Sequence, residues 1–221
     1  MSGLNPPTNP TPTLVPLGDS ALLVRFGNSL TDAANGAAIG LARLLDSGPP
    51  AGALEIVPNL ISVLVRYDPL QTSAQTIAGE VRLRLLAHES HHAETREWSI
   101  AVAFDGPDLA DVATAFGMTA EAFIAAHNQA SLRVLATGFA PGFVYCGMHP
   151  NELTLPRRPT VRLSVPPGSV LFAAGQTAIT ATEMPTGWHV IGHTDFANFD
   201  PTASPPTRLE PGDQVRFTVA P

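Results

Sequence analysis

The chain has no lysine: its twelve Lys-plus-Arg positions are all arginine. That removes every chemistry needing a lysine amine from this polypeptide. A P-loop lysine, a Schiff-base or pyridoxal lysine, a biotinyl-lysine and a Ser-Lys amidase are all excluded. Cysteine is nearly as scarce. Cys146 stands alone, so no internal disulfide forms, as suits a reducing cytoplasm. Charge is sparse too, at 14% of residues against 44% hydrophobic, and the net charge of −7 lacks the basic excess of a nucleic-acid surface. No apolar run is long enough to span a bilayer. Residues 1–13 are Pro, Thr and Asn with no arginine and no apolar run. They read as a disordered tail, neither signal nor transit peptide.

What is present is a globular composition over 221 residues, enough for one large domain or two small ones. In the first half, β-branched and apolar runs at 20–26, 53–57, 61–67 and 98–104 alternate with helical spacing at 31–45 and 73–91. The order β-α-β-β-α-β matches a ferredoxin-like α+β domain over 14–104. Residues 107–116 and 119–128 read as two short helices in a helical linker region, 105–130, with Thr119 at a helix start. From 131 to 221 the texture changes. Short strand-like runs (132–136, 161–165, 170–173, 178–181, 189–191, 214–219) alternate with Pro/Gly turns, the pattern of an antiparallel β-barrel. The fold class is therefore α+β, an α+β unit followed by a barrel.

The chemistry concentrates in residues 138–194. Three clusters pair Gly or Pro with polar or aromatic residues: Gly138-Phe139-Ala140-Pro141-Gly142-Phe143, Pro156-Arg157-Arg158, and Ala174-Gly175-Gln176-Thr177. Glycine lets a backbone approach a ligand, proline stiffens the loop, and arginine forks around carboxylate or phosphate. The alternative for Arg157 and Arg158 is two surface charges. Gln176 offers a donor and an acceptor suited to an amide or lactam edge, against a plain turn glutamine. Glu183 reads as acid, base or arginine partner. Trp188 reads as core packing before it reads as a pocket wall. Cys146, with His149 three residues on, has the spacing of a thiol and a base, but buried filler is the simpler role. His88-Glu89-Ser90-His91-His92 matches HExxH. A solvated helix end explains it without a zinc hydrolase, and no metal site is assigned.

At these residues the chain resembles the family of the 5-oxoprolinase B subunit, also described as the KipI or allophanate-hydrolase-subunit-1 family. The carrying motifs are Gly138 to Phe143 with Tyr145, Pro156-Arg157-Arg158, Val165-Pro166-Pro167-Gly168-Ser169, Ala174 to Thr177, Pro185-Thr186-Gly187-Trp188, Ile191-Gly192-His193 and Phe199-Asp200-Pro201. Gly18-Asp19-Ser20, Val57-Pro58 and Tyr67-Asp68-Pro69 agree in the first half. The resemblance implies a cyclophilin-like barrel for 131–221. It also implies partners, 5-oxoprolinase subunits A and C, with which the family opens 5-oxoproline to glutamate using ATP and magnesium in the complex. Related domains belong to urea carboxylase, and one relative inhibits a histidine kinase. So the alternatives are a regulatory protein that binds a kinase, or a subunit of a urea- or allophanate-type amidohydrolase or carboxyltransferase. Departures from the family pattern at 103–109, 144–148 and 184–187 border the expected pocket. On this reading Arg157 and Arg158 hold anionic groups and Gln176 addresses the amide. Phe139, Phe143, Tyr145 and Trp188 wall the site, Glu183 borders it, and Gly138, Gly142 and Gly175 supply backbone. No nucleophile or base is assigned.

Overall fold

The computed structural model describes residues 11–87 and 95–221, and the chain divides into two units between Ala93 and Glu94. The first unit runs β1 (Thr13–Leu17), β2 (Ala21–Arg25), α1 (Asp32–Ser47), β3 (Ala53–Asn59), β4 (Ser62–Tyr67) and α2 (Ala74–Ala87). Thr31 caps α1, its hydroxyl accepting the Ala34 N–H at 3.2 Å. Ala34, Ala38, Leu41, Ala42 and Leu45 follow at helical spacing and are all buried. They pack on Leu22, Val24, Val63 and Val65, the alternating inward residues of β2 and β4, together with Ile77 and Val81 of α2. The sheet is antiparallel in the order β1-β2-β4-β3. The strand expected at 98–104 to complete the ferredoxin-like pattern is not in this sheet. β1, which begins at Thr13 inside the stretch read as a disordered tail, lies at that edge instead.

The second unit takes that strand. It runs β5 (Glu97–Val102), α3 (Leu109–Ala115), α4 (Ala120–His127), β6 (Leu132–Thr137), β7 (Val144–Gly147), a short 3-10 turn (Asn151–Leu153), β8 (Arg162–Val165), β9 (Ser169–Ala173), β10 (Gln176–Ile179), β11 (Met184–Thr186), β12 (His189–His193) and β13 (Gln214–Val219). Seven strands form one curled sheet, β12-β9-β10-β7-β6-β13-β5, while β8 and β11 pair as a separate ribbon. β5 lies parallel to β13. The sheet's two ends meet at one bridge, where Ala103 and His193 exchange N–H···O bonds of 2.9 Å.

Inside the curl, Ile100, Val102, Val134, Val144, Cys146, Val170, Phe172, Ile179, Val215 and Phe217 form one core. Val112 of α3 and Phe123 of α4 belong to the same cluster. The helices expected as a linker therefore plug the barrel. A fully buried Phe contributes about 1.5–3 kcal/mol, enough to hold such short helices against a sheet. The opposite face of β7, β9 and β10 carries Tyr145, Leu171, Ala173 and Ala178, packed with Val165, Met184, Trp188 and Val190. No single helix among the described residues is long and apolar enough to cross a membrane.

Candidate functional site

The loop joining β6 to β7 is pinned at its far end. A Cβ on Gly142 (φ +68°) would lie 2.4 Å from the Phe199 Cβ and 2.7 Å from the Ala181 Cβ, so only glycine lets the loop sit this close. Buried Asn198 donates to the Gly142 carbonyl at 2.9 Å. At the near end the Gly138 N–H bonds the Phe143 carbonyl at 3.0 Å. Between them Phe139 is held at φ +78° with 79% of its surface exposed. A bulky side chain in the left-handed region costs about 1–2 kcal/mol. The loop keeps it there and presents its ring to solvent.

From Phe139 a row of rings runs across the outer face. The Phe139 and Phe143 centroids are 5.8 Å apart, Phe143 and Tyr145 4.8 Å, and Tyr145 and Trp188 6.0 Å, all edge to face. The Arg157 guanidinium lies 5.7 Å from the Trp188 ring centre. It makes no hydrogen bond or ion pair with any described residue. Burial pushes the Tyr145 phenol up from its usual range, and the Arg157 charge pulls it part of the way back. Five of the residues read from sequence, drawn from three segments, thus form one chain of contacts ending in an uncompensated cation. Trp188 is itself buried, so it packs in the core and walls the row at once.

Arg158 turns the other way. Its guanidinium and that of Arg162 both bond Asp108 Oδ1, Arg162 at 2.9 Å. Asp108 Oδ2 takes Arg162 at 3.0 Å and the Val190 N–H at 2.8 Å. Burial would raise the Asp108 pKa, but the Val190 N–H and the two arginines outweigh it and hold the carboxyl below its usual range. Arg158 is thus the structurally paired arginine of the two, and Arg157 alone of the pair faces the row of rings. Arg158 is spent on holding residues 156–162 to the barrel.

Ala174 (φ +52°) and Gly175 (φ +70°) form the two-residue turn between β9 and β10, a geometry that needs positive φ at both positions. Gln176 follows it. The register sets Thr177 opposite Cys146 and Ala178 opposite Tyr145, so alternation puts Gln176 on the Tyr145 face. Its Oε1 is buried and has no hydrogen-bond partner among the described residues. Glu183 is exposed, accepts the Ser164 hydroxyl at 2.5 Å and pairs with no described arginine.

The thiol-and-base reading of Cys146 and His149 is not supported. Cys146 is fully enclosed and burial pushes its thiol up to about 12. His149 faces the core. Its Nε2 and that of His127 each lie 2.8 Å from Thr177 Oγ1. Asn128 Oδ1 accepts from His127 Nδ1 at 2.7 Å. That leaves His127 Nε2 to accept the Thr177 hydroxyl proton and His149 Nε2–H to donate to the same oxygen. Burial drives His127 down to about 4, and burial with the neighbouring His127 drives His149 to about 3. Both imidazoles are therefore neutral structural groups. The HExxH match at 88–92 lies outside the described residues.

Similarity to known proteins decides the family. The pattern described as "Carboxyltransferase domain, subdomain C and D" matches residues 12–209. A protein of Bacillus subtilis (strain 168), named as the B subunit of 5-oxoprolinase, is 34% identical over 216 residues, covering 91% of this chain and 90% of that one. One of the same name from Escherichia coli O157:H7 is 35% identical, covering 91% and 93%. The chain belongs to the 5-oxoprolinase B-subunit family. A crystal structure of TTHA0988 superposes on this family member with a TM-score of 0.82 at 34% identity. The match covers 92% of the present chain but only 40% of TTHA0988, which is a longer polypeptide.

For the ATP and magnesium that the resemblance implies, the described residues show no ready-made cluster. They contain no group of three or more His, Cys, Asp or Glu able to hold a metal, and the row of rings offers one free guanidinium for phosphate. The sequence reading missed Asp108, Arg162 and His127, and it placed Thr177 in a cluster without its two histidine partners. Asp108 stands in the Gly106-Pro107-Asp108-Leu109 run, where its position before α3 is visible but its arginine partners, about fifty residues on, are not.

Proposed function

We propose that this chain is the B subunit of an ATP-dependent 5-oxoprolinase. With subunits A and C it would open the lactam of 5-oxoproline, adding water across the C–N bond to give glutamate. The observation that carries the reading is the end-to-end identity with proteins of that name, 34% over 91% of this chain and 90% of the relative. The geometry supports it from below. A carboxylate substrate suits the free guanidinium of Arg157 over Trp188. A secondary lactam has one N–H donor and one C=O acceptor, which suit the acceptor and donor of the Gln176 amide. The rings of Phe139, Phe143 and Tyr145 offer an apolar wall.

The same residues argue for a shared site. Cys146, His127 and His149 are enclosed and un-ionised, so none of these three serves as an activated nucleophile or base. In this reading the chain binds and orients the substrate, while partner subunits in a cytoplasmic hetero-oligomer hold ATP and magnesium. The second unit is read as a cyclophilin-like barrel. The first is read as a ferredoxin-like sheet whose fourth position is taken by β1.

Reconstitution tests it. The chain is purified alone and with subunits A and C from the same source, and glutamate release from 5-oxoproline and ATP is measured. Activity confined to the three-part mixture is expected. An inactive mixture, with the chain instead binding a histidine kinase, would replace this reading with the regulatory one.

A further inference from the structure

We propose that Asn198 is a positioning residue for the substrate wall: its side-chain amide fixes the peptide unit from which Phe143 departs. The inference deepens the reading that the row of rings holds the substrate, and rests on it. The Gly142 carbonyl and the Phe143 N–H belong to one peptide unit. Asn198 Nδ2–H donates to that carbonyl at 2.9 Å, and the N–H donates to the Ala140 carbonyl at 3.1 Å. A peptide unit is planar, so a bond at each end fixes its orientation. The Phe143 ring leaves from this plane and meets Phe139 on one side and Tyr145 on the other. Turning the plane therefore displaces the middle of the row.

The loop does not hold this shape by its own bonds. The Gly138 N–H bond to the Phe143 carbonyl and the Phe143 N–H bond to the Ala140 carbonyl both lie within it and move with it. Phe139 at φ +78° favours relaxation to another arrangement. Among the described residues, the Asn198 amide makes the hydrogen bond that ties residues 138–143 to another segment. The neighbouring Phe199 adds the close contact that excludes a Cβ at Gly142.

Asn198 is itself anchored. It is buried. Its Oδ1 accepts the Leu209 N–H at 2.9 Å, and its backbone carbonyl accepts the Arg208 N–H at 3.1 Å. Leu209 sits in the barrel core, and Phe199 and Thr207 bridge the two arms of the intervening segment. The amide thus turns its donor to the loop and its acceptor to a residue of the core, a division that only a group carrying both can make.

A fixed wall acts on affinity before it acts on the chemical step. When binding needs one loop arrangement, apparent affinity falls with the fraction of chains that hold it, while the bound complex is unchanged. A merely structural loss does the reverse: it removes active molecules, lowering apparent kcat and leaving KM alone.

Asn198→Leu keeps the outline of the side chain and removes both bonds. In the full chain its Phe143 amide should exchange about tenfold faster or more, by a larger factor than the amides of β9 and β10. Assembled with subunits A and C, it should show KM for 5-oxoproline raised about tenfold with kcat within about twofold. Exchange at Phe143 matching the unmodified chain overturns the tie itself, whatever the substrate. Faster exchange with KM unchanged overturns the positioning role and leaves the functional reading standing, as does a fall in kcat at constant KM. An unmodified mixture with no activity overturns the functional reading and the positioning role together. If Asn198→Leu does not fold, Asn198→Ser, too short to span both partners, takes its place with the same expected and contrary results.

Discussion

Arg157 and Arg158 are neighbours in the chain with opposite duties. Arg158 shares the buried carboxylate of Asp108 with Arg162, whereas Arg157 rests on Trp188 with no acid paired to it among the described residues. Removing the shared acid leaves two guanidinium groups facing each other. Asp108→Asn should therefore lower stability by about 2–3 kcal/mol, whereas Arg157→Ala should change it by less than about 0.5 kcal/mol. Urea denaturation of the two variants checks this, and equal losses would refute the division of labour. The Asp108 carboxyl is held below its ordinary range. Its contribution is thus present above about pH 4 and fades as pH falls through its folded value. The sequence makes the arginine pair visible as a pair. It does not reveal which of the two is consumed, because that depends on an aspartate brought in by the turn before α3.

Elements show a similar limit. α1 and α4 are legible because their caps are local: Thr31 and Thr119 precede apolar residues at helical spacing, and each hydroxyl caps its helix at 3.2 Å. β5 is legible as a strand but not as a member of the barrel, since its partner β13 lies over a hundred residues later. β7 looks like loop in the sequence because glycine and proline surround it, yet both its neighbours pair with it. The tie from α4 to β10 through His127, Thr177 and His149 is not legible either, being a contact between three separate segments. It has a pH signature. Both imidazoles have folded values, about 4 and about 3, below the unfolded value near 6.5. The unfolded chain thus takes up protons first. Their stabilisation is complete above about pH 6.5 and is lost as pH falls towards 4, at up to about 1.4 kcal/mol per pH unit for each imidazole. Denaturation midpoints between pH 7 and pH 4 should fall steeply, and His149→Gln should flatten the slope. A slope unchanged by His149→Gln would mean that this imidazole is already protonated or solvated in the folded chain.

At the scale of the whole molecule, a barrel plugged by its own two helices presents an outer face whose rings end in one free cation. In the proposed reading that face holds a small anionic amide, and partner subunits complete the site. The TTHA0988 polypeptide, of which the matching part is 40%, carries this fold as one portion of a longer chain. The present chain is read as reaching its partners by assembly. The measurement that goes most directly to the centre is steady-state glutamate release by the three-subunit assembly carrying Arg157→Ala. The expected result is intact assembly with kcat/KM lowered about tenfold to a hundredfold, the loss of one charge-assisted contact to substrate. A fully assembled Arg157→Ala enzyme with undiminished kcat/KM would show that this surface does not hold the substrate.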